Sequence, residues 1–93
     1  MVVYILFSKK SDGYYIGQTE DLPLRLIQHL HKLLPVAYTK AADDWIVYYS
    51  LECSSRKQAV NIERHIKRMK SRRYIQNLVT YPELGEKLKM KYQ

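Results

Sequence analysis

Five side chains in this sequence, Tyr4, Tyr15, Arg25, His29 and Glu63, have types and spacings that could serve one piece of chemistry. Tyr4 closes the triplet Val2-Val3-Tyr4, and Tyr15 opens Tyr15-Ile16-Gly17 eleven positions later. Arg25 follows ten residues beyond Tyr15, and His29 comes one helical turn after it, so both project from one helical face. By type, a carboxylate is a hard oxygen ligand, and a guanidinium is a planar fork of donors suited to a phosphoryl group. A tyrosine, with a free pKa of about 10, is a weak base that needs a nearby cation or a proton acceptor such as imidazole. Taken singly, each has an ordinary explanation. Strand tyrosines pack with a polar tip, helix arginines and histidines are solvated, and Glu63 can pair with Lys67 at i+4. Core packing does not require the joint order, type and spacing of all five.

The elements that must position them are readable from local pattern. Val2 to Phe7 and Tyr14 to Ile16 are β-branched and aromatic, and Ser8 to Gly13 between them ends in an Asp-Gly turn signal, which predicts a β-hairpin. An odd hairpin register would set Tyr4 and Tyr15 on one face of the sheet. Asp21 caps a helix expected over Leu22 to Lys32, with Pro23 in its first turn and Leu22, Leu26, Leu30 and Leu33 inward. Pro35 stops it, a loop carries Tyr38-Thr39-Lys40, and Trp45 to Leu51 reads as a third strand. Ser55 and Gln58 form a capping box for a second helix ending near Met69 or Lys70, with Ala59, Ile62, Ile66 and Met69 as its apolar stripe. A third helix is expected over Ser71 to Val79, and Thr80 with Glu83 could cap a short further one. The order ββαβαα implies an α+β (α/β) fold: a small three-stranded sheet, hairpin plus one strand, flanked by three or more helices.

Length allows one domain over residues 1–93, since two would each be too small to sustain a core. The longest apolar run, Val2 to Phe7, is too short to span a bilayer, and no membrane partner is expected. A lone cysteine, Cys53, excludes an internal disulfide and lacks the spacing of a zinc site with His31 or His65, so a cytoplasmic location is the default. Sixteen Lys and Arg against nine Asp and Glu give a net charge of +7, which favours a polyanionic partner.

The placement of Tyr4, of Tyr15-Ile16-Gly17, of Arg25 and His29, and of Glu63 resembles the GIY-YIG nuclease family, over Val2 to about Leu78. Within that family the chain is similar to small single-domain members that look like the N-terminal domain of a repair excinuclease, whose hairpins read Tyr-Ile-Leu and Tyr-Ile-Gly before a Tyr-Thr-basic loop. Val2 replaces the glycine that opens the family's first motif, a change that removes no catalytic group. The resemblance implies a metal-dependent endonuclease, with DNA expected ahead of RNA and DNA repair as one setting. It makes Glu63 the ligand of one Mg²⁺ or Mn²⁺ ion, a role one carboxylate can fill because magnesium keeps several waters and takes phosphate oxygen. Arg25 is then the group facing transition-state charge, Tyr4 the favoured base with His29 taking its proton onward, and Tyr15 the group positioning water and phosphate. The two tyrosine roles are interchangeable at this level.

Tyr38 and Lys40 are expected to line the substrate side. Lys67, Arg68, Lys70, Arg72 and Arg73 place five positive charges in seven residues and are expected to bind phosphate backbone, extending the site outward. Asn77 falls where several family nucleases carry an asparagine near metal or phosphate. Two rival readings share these features: a non-catalytic nucleic-acid-binding module, and a subunit that depends on a protein partner for targeting.

Overall fold

The computed structural model describes residues 1–93. Its elements are β1 (Val2–Ser8), β2 (Gly13–Thr19), α1 (Leu22–Leu30), α2 (Ala37–Lys40), β3 (Ile46–Glu52), α3 (Arg56–Met69), α4 (Arg72–Thr80) and α5 (Glu83–Lys91). The fold is α+β, a three-stranded antiparallel sheet in the order β2-β1-β3 with helices on both faces.

Strand alternation assigns the faces. Val3 and Ile5 point to one side, where they are fully buried with Ala59, Ile62 and Ile66 of α3, Ile75 and Leu78 of α4 and Leu88 of α5. Burying an aliphatic side chain of this kind stabilises by about 1.5–3 kcal/mol, so this face is the main core. Tyr4 and Leu6 point to the other side, where Ala42 and Trp45 are buried and Leu22, Leu26 and Leu30 of α1 pack against them. Between Ile5 and Leu6 the β1–β3 register shifts, so Tyr49 opposes Ile5 while Val47 opposes Leu6. One extra residue on β3 accommodates that shift.

The caps explain where the helices begin. Asp21 Oδ1 accepts from the Leu24 N–H at 3.1 Å, and Ser55 Oγ from the Gln58 N–H at 3.1 Å. Gln58 completes its side of the cap on Ser54, whose N–H it accepts at 2.8 Å, and donates onward to the Lys89 carbonyl at 3.0 Å, tying α5 to α3.

Three expectations are corrected. The first helix ends at Leu30 and not Lys32, because Lys32 turns left-handed with φ 58° and the Leu33 N–H closes back on the Gln28 carbonyl; Leu33 is left exposed. The Tyr38-Thr39-Lys40 segment is not a loop but the single turn α2, held by Trp45, whose indole N–H donates to the Thr39 carbonyl at 2.9 Å. Thr80 does not cap α5: it is the last residue of α4, its hydroxyl donates to the Gln76 carbonyl, and Pro82 takes the cap position without a side-chain bond. No helix is long and apolar enough to cross a membrane.

Candidate active site

In the hairpin register Tyr4 faces Gly17 and Leu6 faces Tyr15, so Tyr4 and Tyr15 lie on the same side of the sheet, two positions apart along the ladder. Their rings are 6.3 Å apart between centroids. Gly17 is there for space: a Cβ built on it would come within 2.6 Å of the Tyr4 hydroxyl, so any larger residue would push that ring out of place. Above both rings α1 brings down His29, which is buried. Its Nε2 lies 2.9 Å from the Tyr4 hydroxyl, and its ring centroid is 4.9 Å from that of Tyr15.

Burial controls the proton chemistry of this triad. The Tyr4 hydroxyl is held well above its ordinary pKa, chiefly by burial and then by Tyr15; Arg25 pulls the other way and Glu63 adds to the rise. The fields of Arg25 and Glu63 therefore both reach Tyr4. His29 is held below its ordinary pKa, by burial and then by Arg25, so its imidazole is neutral. Its Nδ1 is buried without a partner. Imidazolium would place an unpaired N–H there, a further cost of charging the ring.

Arg25 is half-buried on α1 and opens into a polar cleft of about 310 Å³ lined also by Gln18, Gln28 and Arg56. Gln18 Oε1 is buried without a partner, and Arg56 is engaged by Glu20 at 3.1 Å. Sequence reasoning overlooked these three side chains. Gln28 could have been found from its i+3 spacing to Arg25, whereas Gln18 and Arg56 meet only because α3 packs beside β2.

Glu63 is half-buried on α3, its side chain 17% exposed, and pairs with Lys67 Nζ at 3.2 Å. No group of three or more His, Cys, Asp or Glu converges anywhere in the chain. His65 is bonded to the Tyr92 hydroxyl at 2.8 Å, and the Cys53 thiol is buried beside the Leu51 carbonyl, so neither joins a zinc-like set. The donor set at Glu63 is one carboxylate with Oε1 shared with Lys67, which fits a hard ion that keeps most of its water and takes the rest of its shell from substrate.

The basic residues divide. Lys67 follows Glu63 at i+4 on one face of α3, and Lys70 closes that helix as its left-handed C-cap. Arg72 reaches the hairpin turn, where it bonds to the Asp12 carboxylate at 3.2 Å and to the Asp12 carbonyl and lies 5.3 Å over the Tyr14 ring. Arg68 points to the C-terminal segment, donating to the Tyr92 hydroxyl at 3.3 Å, and Arg73 is exposed on α4. Tyr38 lies against Tyr15, nearly parallel at 25° with centroids 6.4 Å apart, while Lys40 is exposed at the end of α2. Asn77 is half-buried on α4, and no side-chain hydrogen bond joins it to Glu63.

Searches of curated proteins and of solved structures return no match. The family model of the GIY-YIG catalytic domain matches residues 1–76 of the 93, and with the antiparallel sheet and its flanking helices in place, the chain belongs to the GIY-YIG family.

Proposed function

We propose that this chain is a metal-dependent endonuclease that hydrolyses phosphodiester bonds, with DNA as its first substrate, one magnesium or manganese ion, and a cytoplasmic setting. The observation that carries the reading is the convergence at Tyr4: the hydroxyl touches His29, the ring neighbours Tyr15, and the charges of Arg25 and Glu63 both act on it.

Glu63 would hold the Mg²⁺ or Mn²⁺ ion, which when bound would supply Lewis acidity at the phosphoryl oxygens. Arg25 meets the charge that grows on the phosphoryl group, and its planar fork suits two oxygens at once. Accessibility argues for keeping Tyr15 as the group that positions water and for making Tyr4 a relay to His29 and not a standing base. Tyr4 is sealed in and resists ionisation, so a standing phenolate there is costly. Tyr15, half-buried beside Tyr38, is the hydroxyl that meets and orients the attacking water. Tyr4 and His29 form the inner pair toward which the proton moves, and neutral His29 is its acceptor. The imidazole gives that proton up again readily, because its Nδ1 has no partner to stabilise the charged form.

The experiment is to incubate supercoiled plasmid with the protein in Mg²⁺ or Mn²⁺ and in EDTA. Metal-dependent nicking supports the reading. Salt-sensitive binding without cleavage of duplex, flap, branched or single-stranded DNA or RNA supports instead a non-catalytic binding module or a subunit that needs a partner.

A further inference from the structure

A second cleft, of about 260 Å³, lies between the hairpin turn and the α3–α4 junction. Its walls are Gly13, Tyr14, Tyr38 and Ile75, and its rim carries Lys70 and Arg72. Ser71 and the Asp12 carboxylate complete the lining, so aromatic and apolar surface lies beside two cations, one of them paired with Asp12. Both cations are set in place by unusual means. Arg72 is fixed by Asp12 and by the Tyr14 ring. Lys70 ends α3 with φ 48°, a left-handed position that glycine fills at least cost, so its side chain leaves the helix axis at the cleft mouth. Tyr38 is half exposed, and its hydroxyl rests against Gly13, where any Cβ would displace it.

From this arrangement we infer that the cleft takes one unpaired nucleotide, its base stacked on Tyr38 and its phosphate held by Lys70 and Arg72. The inference rests on the nuclease reading and narrows it to substrates with a single-stranded segment beside the cut. Tyr38 lies against Tyr15, so the stacked nucleotide neighbours the scissile phosphate. An intact duplex offers phosphates at its surface but keeps its bases stacked inside, and a recessed aromatic wall gives it nothing to bind. An unpaired base of any identity presents a π-face, and stacking of this kind tolerates sequence variation.

The test is anisotropy titration, in EDTA so that no strand is cut, of fluorescent oligodeoxyuridylate, oligouridylate and a mixed-sequence duplex. Wild type, Tyr38→Phe, Tyr38→Ala and Gly13→Ala are compared. Tyr38→Ala is expected to weaken single-strand binding roughly 5- to 100-fold and duplex binding little, while Tyr38→Phe keeps the affinity. Gly13→Ala leaves Tyr38 chemically intact but moves its ring, and is expected to follow Tyr38→Ala. Loss confined to one of the two single strands identifies the sugar the cleft accepts. Unchanged single-strand affinity in Tyr38→Ala, or an equal loss on duplex, overturns the inference. Cleavage of single-stranded, flap, branched and duplex DNA and RNA by wild type in Mg²⁺ separates the two readings. Cleavage of any of them with unchanged Tyr38→Ala affinity discards the cleft alone, whereas cleavage of none with lost affinity discards the nuclease and supports the stacking site.

Discussion

The Tyr4 hydroxyl stands 2.9 Å from His29 Nε2, and this one contact joins the centre of the sheet to the first helix. Both groups are buried, and burial favours the neutral form of each, holding the phenol protonated and the imidazole unprotonated. Tyr4→Phe should keep the ring's packing, leave His29 without its partner at a cost of about 1–3 kcal/mol, and lower cleavage about 10²-fold or more. Thermal melting and plasmid nicking check the two effects separately.

Gly17→Ala should disable the site without touching a reactive group. A Cβ 2.6 Å from the Tyr4 hydroxyl forces that ring to move, and overpacking of this sort costs about 1–3 kcal/mol. The expected outcome is a lowered denaturation midpoint together with lost nicking. Combining Gly17→Ala with Tyr4→Leu, which removes the ring, should cost less stability than the two changes added together, and that shortfall would mark the cause as steric.

Glu63 and Arg25 should separate metal binding from catalysis. Glu63→Gln is expected to lose metal affinity, measured calorimetrically, together with cleavage. Arg25→Ala should keep metal affinity and lose about 10²–10³ in rate. Lys67→Ala should tighten metal binding, since it frees the carboxylate from a 3.2 Å ion pair.

Acidification should destabilise the fold in a window set by histidine. His29 is lowered by burial and then by Arg25, and His65 by burial and then by Lys91 and Arg68, so the unfolded chain takes up protons first. Stability is therefore complete above about pH 6.5 and declines as pH falls toward the folded-state values. Urea midpoints at about pH 7.5 and about pH 5.5 should differ, and His29→Gln should shrink the difference.

Salt dependence should sort the basic run by direction. Lys70→Gln and Arg72→Gln are each expected to reduce the slope of log affinity against log salt by about one unit, while Arg68→Gln, turned toward Tyr92, changes it little.

What the sequence revealed followed from local rules. Residue alternation and the Asp-Gly turn set the hairpin, odd register parity brought Tyr4 and Tyr15 to one face, and the Asp21 and Ser55 caps started α1 and α3 where expected. What stayed hidden depended on contacts distant in sequence. His29 looks like a solvated helix residue until β1 rises beneath it, and α2 exists because Trp45 ties down the Thr39 carbonyl. Arg68 belongs to a dense basic run, yet the C-terminal Tyr92 claims it, and the cleft around Arg25 is completed by Arg56 from the far side of the sheet.

The central position of β1, paired on both sides and with Val3, Tyr4, Ile5 and Leu6 almost wholly excluded from solvent, also sets how the molecule breathes. Amide hydrogens there can exchange only when the whole sheet comes apart, whereas β3, bonded along one side alone, can open on its own. Tyr4 thus sits on the slowest-exchanging segment of the chain and Glu63 on a helix docked against it. Ala59, Ile62 and Ile66 of α3 are buried in the same core as Val3 and Ile5, so the helix that carries Glu63 shares that protection and the two sides of the candidate site keep their register together.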